Sequence, residues 1–318
     1  MRGRRASLLT LLARSTTVRT CVLAGVFVSP IFAGVQGRNL RDPGTEPNDL
    51  KKRIEEVIRA SGAEMVAVAY RDLATGDELL INPDESFHAA STMKVAVMME
   101  VYRQAQEGKL SLSDHIVVKT EFKSIVDGSS YTLSPGDDSD QALYKRVGQP
   151  ATIRELVRLM ITVSSNLATN LLIERITASR VMALMNEIGA KNMRVLRGVE
   201  DGKAFRQGLI NTTTARDLSI ILELIAKRRA ISERASDEMI GVLLDQKFNK
   251  SIPAGLPKGC RVAHKTGSIT RIKHDAAIVY PPRGKAYVLV VLTRGIESDD
   301  RSHQLIATIS RYIYEARE

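Results

Sequence analysis

The chain contains no tryptophan, and aromatic residues make up only 4% of it. That scarcity disfavours surfaces that work by stacking bases or sugar rings. Cysteine is almost as rare, with 2 in 318 residues, which excludes a disulfide scaffold and any cysteine-rich metal site. The five histidines (His88, His115, His264, His274 and His303) form no HExxH or other close ligand pair, and no CxxC occurs. No metal or organic cofactor is therefore expected. The phosphate-cradling patterns GxxxxGK[ST] and GxGxxG are missing, as is the GxSxG nucleophile elbow. No apolar run reaches the ~18 residues that a spanning helix needs. What is present is ordinary for a folded chain: 44% hydrophobic and 26% charged residues. At ~100–200 residues per domain, the length fits one large domain or two modest ones.

The formal charge of +10 invites a nucleic-acid reading, but half of it sits in one segment. Arg2, Arg4, Arg5, Arg14 and Arg19 lie in residues 1–37, which hold no acidic residue. An apolar run from Cys21 to Ala33, broken by Pro30, follows them, and small residues close the segment. This order reads as a secretory signal peptide over 1–37 and predicts a periplasmic or secreted protein. Without it, 41 basic residues face 36 acidic ones, a surplus ordinary for a solvated surface. Neither nucleic acid nor, after signal removal, a membrane is an expected partner. Cys21 stands at the start of the apolar run rather than its end, which argues against lipidation. Cys260 is then alone and is expected to be a small buried apolar residue. The mature chain is read as a monomer without an intrachain disulfide.

Residues 38–47 read as a linker. A helix is expected from residue 48 or 49 to Gly62, because Leu50, Ile54, Val57 and Ile58 fall on one stripe. Strands are expected over 65–70 and 78–82, joined by a turn at 74–77. Helical patterns follow at 92–107, 152–163, 166–176, 179–188, 213–229 and 233–245. Irregular stretches over 120–150 and 197–211 interrupt them. Strands return at 261–266, 275–280 and 286–293, and a last helix covers about 299–316. Strands at both ends and helices between them predict an α+β chain. A sheet domain of 48–88 and 250–318, its antiparallel sheet flanked by helices, would carry an inserted helical domain of 89–249. A site would lie in the cleft between them.

Three short motifs bear on that site. Ser91-Thr-Met-Lys94 opens a helix and is the chain's one S-x-x-K. At i and i+3 the two side chains point the same way, one turn apart. A serine hydroxyl needs a neighbouring base to become a nucleophile, and a lysine serves when burial and a second cation lower its pKa. Ser164-Ser165-Asn166 sits at a junction between two helical patterns. Ser164 is placed to relay a proton there, and Asn166 to hold a carbonyl or the lysine. Lys265-Thr266-Gly267 lies at a strand end, where Lys265 and Thr266 suit a carboxylate and Gly267 allows a ligand to approach closely. Each motif alone is weak evidence. The set S-x-x-K, S-D-N and K-T-G, in this order, marks class A β-lactamases and penicillin-binding proteins.

Over about residues 48–318 the chain resembles class A β-lactamases. The resemblance implies a β-lactamase/transpeptidase-like fold and hydrolysis of β-lactams through an acyl-serine. Ser91 matches the nucleophile, Lys94 its base partner, and Ser164 the serine that protonates the lactam nitrogen. Asn166 matches the residue that binds the substrate side-chain amide. Lys265 and Thr266 match the carboxylate-binding pair. The backbone N–H groups of Ser91 and Ser268 match the oxyanion hole.

Several positions depart from the family pattern. Ser165 replaces an aspartate that braces the local structure. The 120–150 stretch looks like an insertion forming a lip on the cleft. The glutamate that activates the deacylating water lies two residues after an arginine in the family, but here Arg197 is followed at that spacing by Val199. Glu200 is the expected base and Asp201 the second choice. Asn211 replaces the aspartate that pairs the arginine, so only a hydrogen bond to Arg197 is expected. His274 falls near the position of a cation that grips the substrate carboxylate. With slow deacylation, the same chemistry would instead make a D,D-peptidase or an esterase relative.

Overall fold

The computed structural model describes residues 47–317. The signal segment, Cys21 and all of the linker except Pro47 lie outside them. Helix α1 (Pro47–Ser61) starts at that proline, which suits a first helical turn because its missing N–H has no intrahelical partner. Five antiparallel strands follow in two groups: β1 (Met65–Asp72) and β2 (Glu78–Ile81), then β3 (Arg261–Ile269), β4 (Ile272–Tyr280) and β5 (Tyr287–Arg294). They form one sheet in the order β2-β1-β5-β4-β3. Both ends of the chain therefore build the same sheet, and β1 pairs directly with β5, Val68 opposite Val291.

The sheet is covered on both faces, which explains why β5 reads as a continuous apolar run. Val288, Val290 and Leu292 join one apolar cluster, and Tyr287, Leu289 and Val291 join another on the opposite face. The second cluster is closed by α1 and by α9 (Asp299–Glu315), through Leu50, Ile54, Leu305, Ile306, Ile309 and Ile313. Each such fully buried Leu or Ile contributes roughly 1.5–3 kcal/mol. The first cluster runs on into the helices of the middle segment.

Those helices are α2 (Lys94–Gln106), α3 (Ile153–Thr162), α4 (Asn166–Ile176), α5 (Ala178–Glu187), α6 (Gly202–Arg206), α7 (Ala215–Ala226) and α8 (Glu233–Leu244). Their starts are marked by side-chain caps. Thr152 accepts from the Glu155 N–H, Thr214 from Asp217 and Ser232 from Ala235. Helix α7 lies against β1, β4 and β5. Among the described residues, no helix is long and apolar enough to cross a membrane.

Three local expectations change. The strand foreseen over 261–266 continues to Ile269, because Gly267 and Ser268 pair with His274 and Lys273 of β4. Lys265 and Thr266 are thus mid-strand, not at its end. The 120–150 stretch is not wholly irregular: Glu121–Lys123 pairs with Ser130–Thr132, and Pro150–Thr152 with His115–Val117. Cys260 is half-buried rather than buried, since it sits in the turn entering an edge strand.

Candidate active site

Ser91 sits in a 3-10 turn, Ala90–Met93, that leads straight into α2. Ala90 has φ +45°, a left-handed conformation that a non-glycine residue adopts only under constraint. The constraint is visible: its N–H donates to His88 Nδ1 at 3.0 Å, and Thr92 Oγ1 donates to the Ala89 carbonyl at 2.6 Å. The turn packs on the β3 edge at Gly267. A Cβ on that glycine would lie 3.1 Å from Thr92 Cγ2 and 3.2 Å from Ala90 Cβ. Gly267 lines the cleft and also makes room for the turn that carries Ser91.

Lys94 is fully buried at the start of α2. Its Nζ donates to the Ser164 carbonyl at 2.7 Å, to Asn166 Oδ1 at 2.9 Å and to Ser164 Oγ at 3.3 Å. Burial pushes its pKa down to about 7, against the opposing pull of the Asp138 and Glu200 carboxylates. Lys265 is equally buried and reaches the same hydroxyl from β3, donating to Ser164 Oγ at 3.0 Å and to the Thr266 carbonyl at 2.8 Å. Burial, reinforced by the nearby Lys94, holds Lys265 well below the usual lysine range. Ser164 is presented to both lysines from the junction of α3 and α4, at φ +60°. Ser165 takes the cap position, accepting from the Ala168 N–H at 3.2 Å.

The junction is held by the stretch read as an insertion. Asp138 accepts from the backbone N–H groups of Asn166 at 2.9 Å and Leu167 at 2.8 Å. Asn166 Nδ2 donates to the Asp137 carbonyl at 3.0 Å. Nothing in the local sequence marks these contacts, because they join residues about 28 positions apart.

Glu200 enters the cleft with φ +61°. Its Oε1 lies 3.4 Å from Asn166 Nδ2, at the limit of a hydrogen bond. Loss of hydration raises its pKa, and the Asp137 carboxylate adds to the rise. The preceding residue lines the same cavity but carries no acid. Val199 is clamped through its backbone, its N–H donating to Asn170 Oδ1 at 2.7 Å and its carbonyl accepting from Asn170 Nδ2 at 3.0 Å. Gly198 permits the clamp, since a Cβ there would fall 2.5 Å from Asn170 Oδ1.

Asp201, the second choice for a base, is buried and fully occupied. It accepts from Ser124 Oγ, Ile125 N–H and Ala204 N–H at 2.9, 3.0 and 3.1 Å. Asn211 does bond Arg197, but through backbone: its Oδ1 accepts from the Arg197 N–H at 3.3 Å and its Nδ2 donates to the Arg197 carbonyl at 3.0 Å. The guanidinium turns instead to the carbonyls of Leu209 and Gly198, both at 2.9 Å.

The cation near the cleft is not His274. That imidazole is fully buried, edge-on to Phe87, with Nε2 3.0 Å from the His88 carbonyl and Nδ1 accepting from the Thr293 N–H at 3.2 Å. Burial drives its pKa down to about 4. The β3–β4 register places Lys273 opposite Ser268, and its Nζ bonds Ser268 Oγ and, at 2.8 Å, Asp299. His274 lines the same cavity, but with a buried, neutral ring, so Lys273 is the cation there.

Two cavities meet at Ser91 and Ser268. One, of about 500 Å³, is lined by Asn166, Glu200, Phe205 and Ile269 as well. The other, of about 380 Å³, is lined by Ser164, Lys247, Thr266 and Lys273 as well. Ser91, Lys94, Ser164, Asn166, Lys265, Thr266 and Ser268 are thus brought together, and Glu200 joins them beside Asn166. Among the described residues, no group of three or more His, Cys, Asp or Glu is placed to hold a metal ion.

Solved structures share this architecture. The chain is similar to PBP-A, with 26% identity and a TM-score of 0.75 over 88% of this chain and 98% of that one. It is also similar to a β-lactamase from Sphaerobacter thermophilus, with 25% identity and a TM-score of 0.73 over 86% and 98%. A β-lactamase from Streptomyces albus G is 26% identical over 273 residues, 84% of each chain. Residues 49–316 match the model of the beta-lactamase enzyme family, and the chain belongs to that family.

Proposed function

We propose that the protein is a serine hydrolase that opens β-lactam rings through an acyl-Ser91 intermediate and then releases the ring-opened acid. The observation that carries this reading is the pair of buried lysines, Lys94 and Lys265, meeting at Ser164 Oγ beside the Ser91 turn. A lysine with a pKa of about 7 is half neutral at neutral pH and so able to act as a base.

Neutral Lys94 takes the Ser91 hydroxyl proton, and Ser91 Oγ attacks the lactam carbonyl carbon. The oxyanion is held by the Ser91 and Ser268 N–H groups. The ring C–N bond breaks, and the nitrogen takes its proton through Ser164, which Lys94 and Lys265 both contact. Lys265, Thr266 and Lys273 bind the substrate carboxylate, and Asn166 the side-chain amide. Glu200 then takes a proton from water, whose oxygen attacks the acyl carbon; the C–Oγ bond breaks and that proton passes to Ser91 Oγ, restoring its hydroxyl. Its raised pKa makes Glu200 a stronger base than an ordinary carboxylate. The arginines and apolar run of residues 1–37 support action outside the cytoplasm.

The test is intact-protein mass spectrometry during incubation with a penicillin. Turnover with a transient adduct on Ser91, which accumulates in Glu200→Gln, is expected. An adduct that persists on the parent protein identifies a slow-deacylating, peptidase-like enzyme instead. No adduct with any lactam on either the parent or Glu200→Gln overturns the acyl-serine reading.

A further inference from the structure

The family's S-D-N element carries an aspartate that this chain lacks, since Ser165 occupies its place. A carboxylate is nevertheless present at that junction. It comes from Asp138, 27 residues earlier, in the 120–150 stretch. Its two oxygens cover the first two N–H groups of α4, those of Asn166 and Leu167. These groups have no intrahelical acceptor, and the positive end of the helix favours an anion there. Tyr144 OH and Ser165 Oγ reach the same carboxylate at 3.2 and 3.4 Å, and the Asp140 N–H at 3.1 Å.

The contact bears on chemistry because of what Asn166 does next. The Asp137 carbonyl is an acceptor only, so it takes the Asn166 Nδ2 side of the amide. That leaves Oδ1 facing Lys94 Nζ, at 2.9 Å. Residues 137 and 138 thus fix both the backbone and the amide orientation of the residue that orients Lys94.

We propose that Asp138 is a positioning residue for acylation: its carboxylate stands in for the acid missing at Ser165 and holds Asn166 in register with Lys94. This rests on the function proposed above. Asp138 also lies close enough to favour the charged form of Lys94, as Glu200 does, while Lys265 is the facing lysine, its own charged form disfavoured by burial and by Lys94.

The experiment follows acylation by a chromogenic cephalosporin from pH 5 to 10 in the full chain, in Asp138→Ala and Asp138→Asn, and in Asp138→Ala/Ser165→Asp. The alanine variant is expected to lose on the order of 10–100-fold in acylation rate, the scale of a small misplacement at a reacting centre. Its acidic limb should move to lower pH, because a negative charge near Lys94 is gone. Asp138→Asn, which keeps one acceptor, should lie between, and Ser165→Asp should recover most of the loss. A uniform loss at every pH, with the limb unmoved and no recovery by Ser165→Asp, would mean that Asp138 only stabilises the fold. An unchanged rate would overturn the proposal outright. Lys94 titration by NMR of lysine-labelled protein gives a readout without activity. If the parent protein accepts no lactam, the proposed function fails, while a lowered Lys94 titration in Asp138→Asn still supports the positioning role and an unmoved one removes it.

Discussion

Lys265 Nζ lies 3.0 Å from Ser164 Oγ, joining the sheet edge to the junction between two helices across the cleft. Both groups are buried. The bond places an amine donor beside the hydroxyl that passes a proton to the lactam nitrogen in the proposed mechanism. Lys265→Met keeps the length and removes the donor. It is expected to reduce kcat/KM by roughly 10²-fold, in line with the loss of one preorganised electrostatic contact. Steady-state kinetics on a penicillin check this, with circular dichroism confirming the fold.

Acylation should require the neutral form of Lys94, whose pKa burial sets at about 7. The rate is therefore expected to rise with pH through an acidic limb near 7 and then level off. Stability carries the same signature. The folded value lies below the ordinary lysine value of 10.5, so the unfolded chain binds the extra proton between the two. Lys94 should contribute least to stability below pH 7 and progressively more as pH rises towards 10.5. Denaturant melts of the parent against Lys94→Met, at pH 6 to 10, read this as a difference that grows in the parent's favour.

Gly198→Ala places a Cβ where Asn170 Oδ1 stands, 2.5 Å away. The clamp on Val199 must open, and the Glu200 carboxylate moves with it. Overpacking of this kind costs about 1–3 kcal/mol. Because Ser91, Lys94 and Ser164 lie on other elements, deacylation is expected to fall at least about 10-fold while acylation changes little. An acyl-enzyme that accumulates during turnover is the diagnostic, seen by mass spectrometry.

Lys273→Ala should raise KM for carboxylate-bearing lactams by about 10-fold with kcat less affected, as expected when binding is lost equally from the ground and transition states. His274→Ala should act differently. It removes the bonds to His88 and Thr293 and so lowers Tm, with little selective effect on KM. Paired kinetic and thermal measurements separate the two residues.

The motifs Ser91–Lys94, Ser164–Asn166 and Lys265–Gly267 were legible because their chemistry needs fixed residue types at fixed local spacing, and the elements around them because apolar periodicity is local too. Most helix and strand positions follow from the same information. Less was legible wherever a partner comes from a distant part of the chain. Gly267 reads as room for a ligand, and only the fold shows the Ser91 turn packed against it as well. The sequence ranks Glu200 ahead of Asp201 on spacing alone, and only the structure shows the Asp201 carboxylate already occupied by donors from Ser124 and Ile125.

The sequence by itself determined the fold class, the three motifs and the surplus of charge in the first 37 residues. Only the tertiary structure decided that Lys273 rather than His274 is the cation at the cleft, because burial keeps the His274 ring neutral. It alone supplied Asp138 and Asn170, since hydrogen bonds across tens of residues leave no local pattern. It also decided the charge state available to Lys94, because a pKa is set by burial and by carboxylates that folding brings near.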